Sequence, residues 1–373
     1  MIQPKAFIDA LAQGGVDFFA GVPDSLLKNL CAYITDNVSC EKNIIAANEG
    51  NAVGLAAGYH LATGKVGCVY MLNSGEGNIV NPLLSLVDED VYHIPMLLVI
   101  GWRGEPGVHD EPQHKKQGKV TLSLLETMGV PYAVLDADWE QQVAQALTQI
   151  RETNGVYALI VRKGIFAEYI LQQMPPPLRA ELSREQAIQI VVDKLKKDDI
   201  VVSTTGMISR ELFEYREALG QGHGADFLTV GSMGHASQIA LGIALQKPER
   251  RVIVFDGDGA LLMHMGGMAI IGDYCPKNLV HIVFNNGAHD SVGGQPTVGL
   301  SIDLPKIAEA VGYKTVLKAS DEKELRVALS QLDGCEKTAL IEIQVRKGNR
   351  KDLGRPTTTP IQNKEAFMQN IIN

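Results

Sequence analysis

The chain has 373 residues, of which 45% are hydrophobic and 21% charged, a composition that can build substantial cores and excludes a disordered polymer. Its formal net charge of −9 argues against nonspecific nucleic-acid binding, and no apolar run approaches the ~18 residues of a membrane span. Cys31, Cys40, Cys68, Cys275 and Cys335 lack C-x-x-C spacing and read as free thiols, and the N-terminus lacks a signal peptide's plan, so a cytoplasmic protein is expected.

Apolar runs predict strands near Val16–Ala20, Asn43–Ala47, Val66–Leu72, Pro95–Gly101, Tyr132–Leu135 and Tyr157–Val161. A second set follows near Ile200–Thr204, Asp226–Val230, Val252–Phe255, Leu279–Phe284, Thr315–Leu317 and Ala339–Ile343. Helical patterns separate most of them, which predicts an α/β fold with parallel sheets covered by helices on both faces. Pro175-Pro176-Pro177 stiffens a linker over 172–182, and Ser183 with Gln186 fits a capping box that opens the next helix. Two α/β domains of similar size are therefore expected, 1–171 and 183–373. The stretch Arg350–Gln362 is polar and rich in Thr and Pro, and reads as loosely ordered.

Chemistry concentrates where strands end. Val252–Phe255 runs into Asp256-Gly257-Asp258-Gly259, and Leu279–Phe284 runs into Asn285-Asn286. Adjacent parallel strands would bring these oxygens together at the carboxyl edge of a sheet, where open α/β folds bind ligands. Gly257 and Gly259 would let the backbone turn tightly and approach a ligand. A helix over Ala260–Ile271 would turn its free N–H groups toward a phosphate, and such oxygen donors suit Mg²⁺ or Ca²⁺. Two solvated Gly turns that happen to end strands are the plainer alternative.

Upstream, Ile44–Ala47 runs into Asn48-Glu49-Gly50-Asn51 and a small-residue helix, so Glu49 is either a first-turn acid favoured by the helix dipole or a functional carboxylate. Asp24 and Ser25 lie between a strand and a helix, where Asp24 could serve only as a cap. Thr205-Gly206 and Ser232-Met233 form small-residue turns at strand ends, either ligand contacts or ordinary βα turns. The segment Trp102–Lys119 reads as a polar loop carrying Arg103, His109, His114, Lys115 and Lys116, with the two lysines as solvated charge.

The G-D-G at 257–259, followed after 25 residues (260 to 284) by Asn285-Asn286, resembles the cofactor fingerprint of thiamine-diphosphate enzymes. That resemblance implies two cofactor-binding domains, one for the pyrimidine and one for the diphosphate, with no middle domain. It implies thiamine diphosphate and Mg²⁺ as cofactors, with Mg²⁺ held by Asp258, Asn286 and the carbonyl of Ala288. It places Thr205, Gly206, Ser232, Met233, Gly257, Gly259 and Ala260 against the cofactor and makes Glu49 its pyrimidine activator. It further implies that the chain self-associates, at least as a homodimer, with each site completed by a second copy.

Within these enzymes, three segments resemble the phosphonopyruvate and sulfopyruvate decarboxylases. They are Gly21–Leu26, Trp102–Gly107 continuing to Asp110–His114, and Thr204–Leu212. Met207 departs from the basic or polar residue found there in many relatives. The implied reaction is decarboxylation of a small anionic 2-oxo acid, with Asp24 and His114 as candidate acids and Ser25, Arg103, His109 and His114 as candidate substrate contacts. Three rivals stay open: the sulfonate analogue as substrate, a non-catalytic cofactor-binding subunit, and an oxidative ferredoxin-linked subunit. The last should bring iron–sulfur cysteine clusters, which this sequence lacks.

Overall fold

The computed structural model describes residues 1–172 and 180–372. The triple proline of the expected linker lies outside them. The chain forms two compact units, Met1–Pro175 with Ser291–Gln295 and Pro176–Asp290 with Pro296–Asn373.

The first unit holds β1 (Phe18–Gly21), β2 (Asn43–Ile45), β3 (Gly67–Leu72), β4 (Met96–Gly101), β5 (Tyr132–Val134) and β6 (Val156–Val161), in sheet order β2-β1-β3-β4-β6-β5. The second holds β7 (Ile200–Ser203), β8 (Asp226–Leu228), β9 (Val252–Gly257), β10 (Leu279–Asn285), β11 (Thr315–Ala319) and β12 (Ala339–Gln344), in order β11-β12-β10-β9-β7-β8. Every ladder is parallel. Parallel strands covered on both faces must be apolar on both, and this is why β3, β4, β6, β7 and β9 surface as apolar runs, while β2, β8 and β11 carry Asn43, Asp226 and Lys318.

Alternate side chains of one strand enter different cores. In β3, Cys68 and Tyr70 join one apolar cluster of the first unit while Val69 and Met71 join another. In β9, Ile253 and Phe255 face one cluster of the second unit while Val252 and Val254 face the other. The β9–β10 register pairs Val283 with Asp256 and Phe284 with Gly257, so both strands end together and deliver their oxygen-bearing residues to one edge.

Three sequence expectations need revision. The helix expected over Ala260–Ile271 is two helices, Asp258–Met263 and Gly266–Tyr274, so Asp258 itself opens the first. The polar segment after β4 is a loop only to Glu111. Pro112, well suited to a first helical turn, starts the helix Pro112–Thr127, which carries His114, Lys115 and Lys116. The C-terminal stretch becomes a helix at Pro360, where Phe367 packs on Phe227 with ring centroids 5.4 Å apart. Asn363 also bonds the backbone of β8 at Leu228 N and Asp226 O. The capping box forms as expected, with Ser183 Oγ accepting from Gln186 N and Gln186 Oε1 accepting from Ser183 N.

Candidate active site

In the first unit the strand ends gather carboxylates. Glu49 opens the helix Glu49–Thr63, whose N-cap Asn48 accepts a hydrogen bond from Asn51 N at 3.0 Å. The Glu49 side chain is 4% exposed, and Asn78 Nδ2 donates to its Oε2 at 2.6 Å. Gly75 leaves the carboxyl its room, because a Cβ there would stand 2.5 Å from Glu49 Oε1. A simple first-turn acid would face water. Burial, an amide clamp and a glycine cradle instead hold Glu49 in one place inside the protein.

Beside it, Glu76 is buried with one oxygen lacking a partner among the described residues. Burial pushes its carboxyl up to about 8 despite the Thr121 hydroxyl. Asn73 links this corner to the loop after β4: its amide donates to Thr121 Oγ1 at 2.9 Å and Arg103 O at 2.8 Å, and its Oδ1 accepts from Arg103 N at 3.1 Å.

Asp24 follows β1 and is 1% exposed, its Oδ2 accepting from Leu26 N at 2.9 Å and Leu27 N at 3.1 Å. Gly101, at the end of β4, is again the cradle: a Cβ would come within 2.4 Å of Asp24 Oδ2. Burial pushes the Asp24 carboxyl up to about 6 against these N–H groups and the nearby Arg103 charge. Such a shift means the native chain carries the carboxylate at a cost near 3 kcal/mol at neutral pH, about 1.4 kcal/mol per unit. That cost is absent below pH 3.8, where folded and unfolded chains are both protonated, and is complete above about 6. Asp24→Asn is therefore expected to raise Tm at pH 7.5, with the gain falling to about half by pH 5, while lowering kcat. Thermal melts of both chains at the two pH values check this.

Arg103 is held on three sides. Its Nε donates to Asp110 Oδ2 at 2.7 Å, Nη2 pairs with Asp110 Oδ1, and Nη1 donates to Ser25 Oγ at 2.9 Å. Asp110 also accepts from Gly104 N and Glu111 N, at 2.8 and 2.7 Å. Burial pushes the Asp110 carboxyl up, but the Arg103 and Gly104 donors win and hold it below the usual range. His114 is buried, its Nδ1 lacks a partner among the described residues, and burial together with Arg103 lowers its pKa. The structure thus brings Asp24, Ser25, Arg103 and Asp110 together. His109 stays exposed in the loop, and no hydrogen bond or ion pair ties it to them.

In the second unit, Asp258 is 2% exposed, and burial pushes its carboxyl up to about 6. Its compensating partners are the Thr297 hydroxyl and backbone donors, including Asn286 N at 3.4 Å. No Lys, Arg or His among the described residues pairs with it. Gly299 keeps the space beside it open, since a Cβ would stand 2.7 Å from Asp258 Oδ2. The two asparagines differ in how much of the side chain the protein engages. Asn285 is consumed by the protein, its Nδ2 donating to Glu342 Oε1 and Gly299 O at 2.7 and 2.8 Å and its Oδ1 accepting from Gly287 N at 3.1 Å. Asn286 Oδ1 likewise accepts one bond, from Ala288 N at 3.0 Å, while its Nδ2 donates only to Asp290 Oδ2 at 3.3 Å.

No group of three or more His, Cys, Asp or Glu suited to a metal occurs among the described residues. A buried carboxylate whose partners are a hydroxyl and backbone N–H groups, with no cation beside it among the described residues, suits instead a hard divalent cation, so the residues present fit Mg²⁺.

Around this centre, Gly257 and Gly259 have ordinary negative φ and do not make the expected tight turn. Close approach explains Gly259: a Cβ would lie 3.1 Å from His289 Nδ1 and 3.5 Å from Met233 Cε. Ala260 is buried in the same turn of helix. Gly206 and Ser232 have φ of 104° and 47°, and Thr205 Oγ1 accepts from Gly231 N at 3.0 Å, tying the turns after β7 and β8 together. Thr204 Oγ1 is buried beside them with no partner among the described residues. Sequence reasoning missed Asp110, Glu76, Asn78 and Thr297. Only Asp110 carried a signal, its place in the Asp110–His114 segment.

The thiamine pyrophosphate enzyme N-terminal TPP-binding domain matches residues 4–124, and the C-terminal TPP-binding domain matches residues 204–343. A phosphonopyruvate decarboxylase of Streptomyces viridochromogenes is 34% identical over 385 residues, spanning 98% of this chain and 94% of its own. One from Streptomyces hygroscopicus is 34% identical over 389 residues, spanning 99% and 94%. A sulfopyruvate decarboxylase of Methanosarcina acetivorans is 29% identical over 365 residues, spanning 92% and 91%.

Proposed function

The chain belongs to the phosphonopyruvate decarboxylase family of thiamine pyrophosphate enzymes, and on that premise we propose that it converts 3-phosphonopyruvate, without oxidation, to phosphonoacetaldehyde and carbon dioxide. Sulfopyruvate is the related alternative substrate. The observation that carries the chemistry is Asp258, buried without a cationic partner beside Asn286 at the joint end of β9 and β10.

Bound there, thiamine diphosphate would supply a carbon nucleophile for the 2-oxo group and an electron sink for the pair left by carbon dioxide. In the chain, Asp258, Asn286 and the Ala288 carbonyl would hold Mg²⁺, with the turns Thr205-Gly206 and Ser232-Met233, Gly257, Gly259 and Ala260 against the cofactor. Glu49 would give and take the proton that the pyrimidine ring of that cofactor exchanges. Asn78 occupies Oε2, so the proton moves at Oε1.

On the substrate side, Asp110 takes the Nε and Nη2 faces of Arg103, and Nη1 donates one hydrogen to the Ser25 hydroxyl, which itself donates to Asp24, so the second Nη1 hydrogen is left for the substrate's anionic group. His109, exposed in the loop, is a further candidate contact for that group. Asp24 or His114 delivers the proton that completes the aldehyde. Both are buried acids or bases shifted toward neutrality or below it, and both border Arg103 electrostatically.

Residues 1–171 serve as the pyrimidine-binding domain, 172–182 as the linker and 183–373 as the diphosphate-binding domain. Two copies complete each site, Glu49 of one working with Asp258 of the other. Five free cysteines suit the reducing cytoplasm, and no described helix is long and apolar enough to cross a membrane. A non-catalytic subunit would have no use for a clamped and cradled Glu49.

The test is steady-state decarboxylation of phosphonopyruvate, sulfopyruvate and pyruvate side by side. The highest kcat/KM is expected for phosphonopyruvate. A preference for sulfopyruvate would transfer the assignment to the sulfonate, and a preference for pyruvate would remove the anion-binding role of Arg103.

A further inference from the structure

Asn286 can serve a metal only if its amide presents oxygen rather than nitrogen, and the two groups differ by a half-turn of the side chain. The structure contains a device that decides this. Asn286 Nδ2 donates to Asp290 Oδ2 at 3.3 Å, while its Oδ1 accepts from Ala288 N at 3.0 Å. A carboxylate only accepts and a backbone N–H only donates, so the reversed amide would lose both bonds.

Asp290 is in turn fixed. The same Oδ2 accepts from Gly348 N at 2.7 Å and from Arg184 Nη1 at 3.3 Å. Arg184 is 5% exposed and grips Glu211, itself 1% exposed, through Nε at 2.8 Å and Nη2 at 2.9 Å. Arg184 is the first residue of the helix Arg184–Val192, whose start the Ser183–Gln186 capping box defines. A rigid helix end therefore sets a buried guanidinium, which sets a carboxylate, which sets the amide.

We propose that Asp290 is a positioning residue of the metal site, holding the Asn286 amide with Oδ1 toward the ion, and that Arg184 and Glu211 anchor it. This rests on the reading of Asn286 as a metal ligand. Partners that orient a ligand in this way commonly contribute about 10–100-fold to metal affinity. Asp290 follows Asn286 closely enough to face substrate or ion directly, but all three of its donors converge on Oδ2, which fixes the carboxylate against the Asn286 amide.

The experiment is calorimetric titration of Mg²⁺ into the full-length chain with saturating thiamine diphosphate, comparing wild type, Asp258→Ala, Asp290→Ala and Asp290→Asn. Asp290→Ala should weaken Mg²⁺ about 10–100-fold, Asp290→Asn by less, and kcat at saturating Mg²⁺ should stay near wild type for both. Asp290→Asn keeps size and an acceptor oxygen, so it decides the matter if the alanine chain fails to fold. Undiminished Mg²⁺ binding by Asp258→Ala would remove the metal reading itself. Loss of binding in Asp258→Ala with wild-type affinity in both Asp290 variants would overturn the positioning role alone. A kcat collapse at saturating Mg²⁺ with unchanged affinity would overturn it too, placing Asp290 at the substrate.

Discussion

Replacing Glu49 with glutamine is expected to lower kcat by about 10²–10⁴-fold, the usual worth of a positioned acid–base group, while Mg²⁺-dependent cofactor affinity changes only a few-fold. The substitution is nearly isosteric, so the helix start, the Gly75 cradle and most of the packing stay in place. What disappears is a group able to give and take a proton at Oε1. The Asn78 amide can still donate to the remaining carbonyl oxygen. Steady-state rates set against cofactor titrations separate the two effects. A glutamine chain with wild-type turnover would remove Glu49 from the mechanism. Parallel loss of turnover and cofactor affinity would make it a structural binder.

Asp258→Ala is expected to fail one step earlier, losing metal-dependent cofactor binding and with it all turnover. In the folded chain this carboxyl is buried with a hydroxyl and N–H groups but no cation, an arrangement that burial alone penalises. Removing it should therefore leave the apo chain as stable as before or more so. A purely structural carboxylate, hydrogen-bonded for the sake of the fold, would behave oppositely: the melt would drop and binding would survive. Apo-chain thermal melts beside calorimetric cofactor titrations with and without Mg²⁺ distinguish these outcomes.

These two residues were legible for different reasons. Asp258 sits in a short motif whose spacing is covalent, and β9 and β10 are adjacent and parallel, so its meeting with Asn286 follows from sheet topology. Glu49 needed the resemblance, because one acidic residue at a helix start is common. Its distinguishing features are Asn78 and Gly75, about 30 residues away and joined to it only by folding.

The central strands were readable because burial on both sheet faces leaves no polar alternation to obscure them, whereas β2, β5 and β11 are only partly buried. Helix limits were harder. Leu261–Gly267 contains nothing that forbids a continuous helix, and the break appears where chain segments crowd, a Cβ at Gly267 falling 2.6 Å from Gln238 Nε2. The helix Pro112–Thr127 hid behind its own polar surface, with Pro112 as its one plain start signal. The Arg103–Asp110 clamp stayed invisible because pairing depends on loop path, so a basic segment suggested open cations where the structure holds Arg103 largely engaged.

The central claim is that this chain's carboxylates and oxygens serve a bound thiamine diphosphate in removing carbon dioxide from a 2-oxo acid. Its most direct test is carbon dioxide release from 3-phosphonopyruvate by chain stripped of metal and cofactor, then resupplied with each alone and with both. Release matched one-to-one by aldehyde, only when thiamine diphosphate and Mg²⁺ are both restored, is the predicted result. Equal release from the stripped chain, or none after full reconstitution of folded protein, would contradict it.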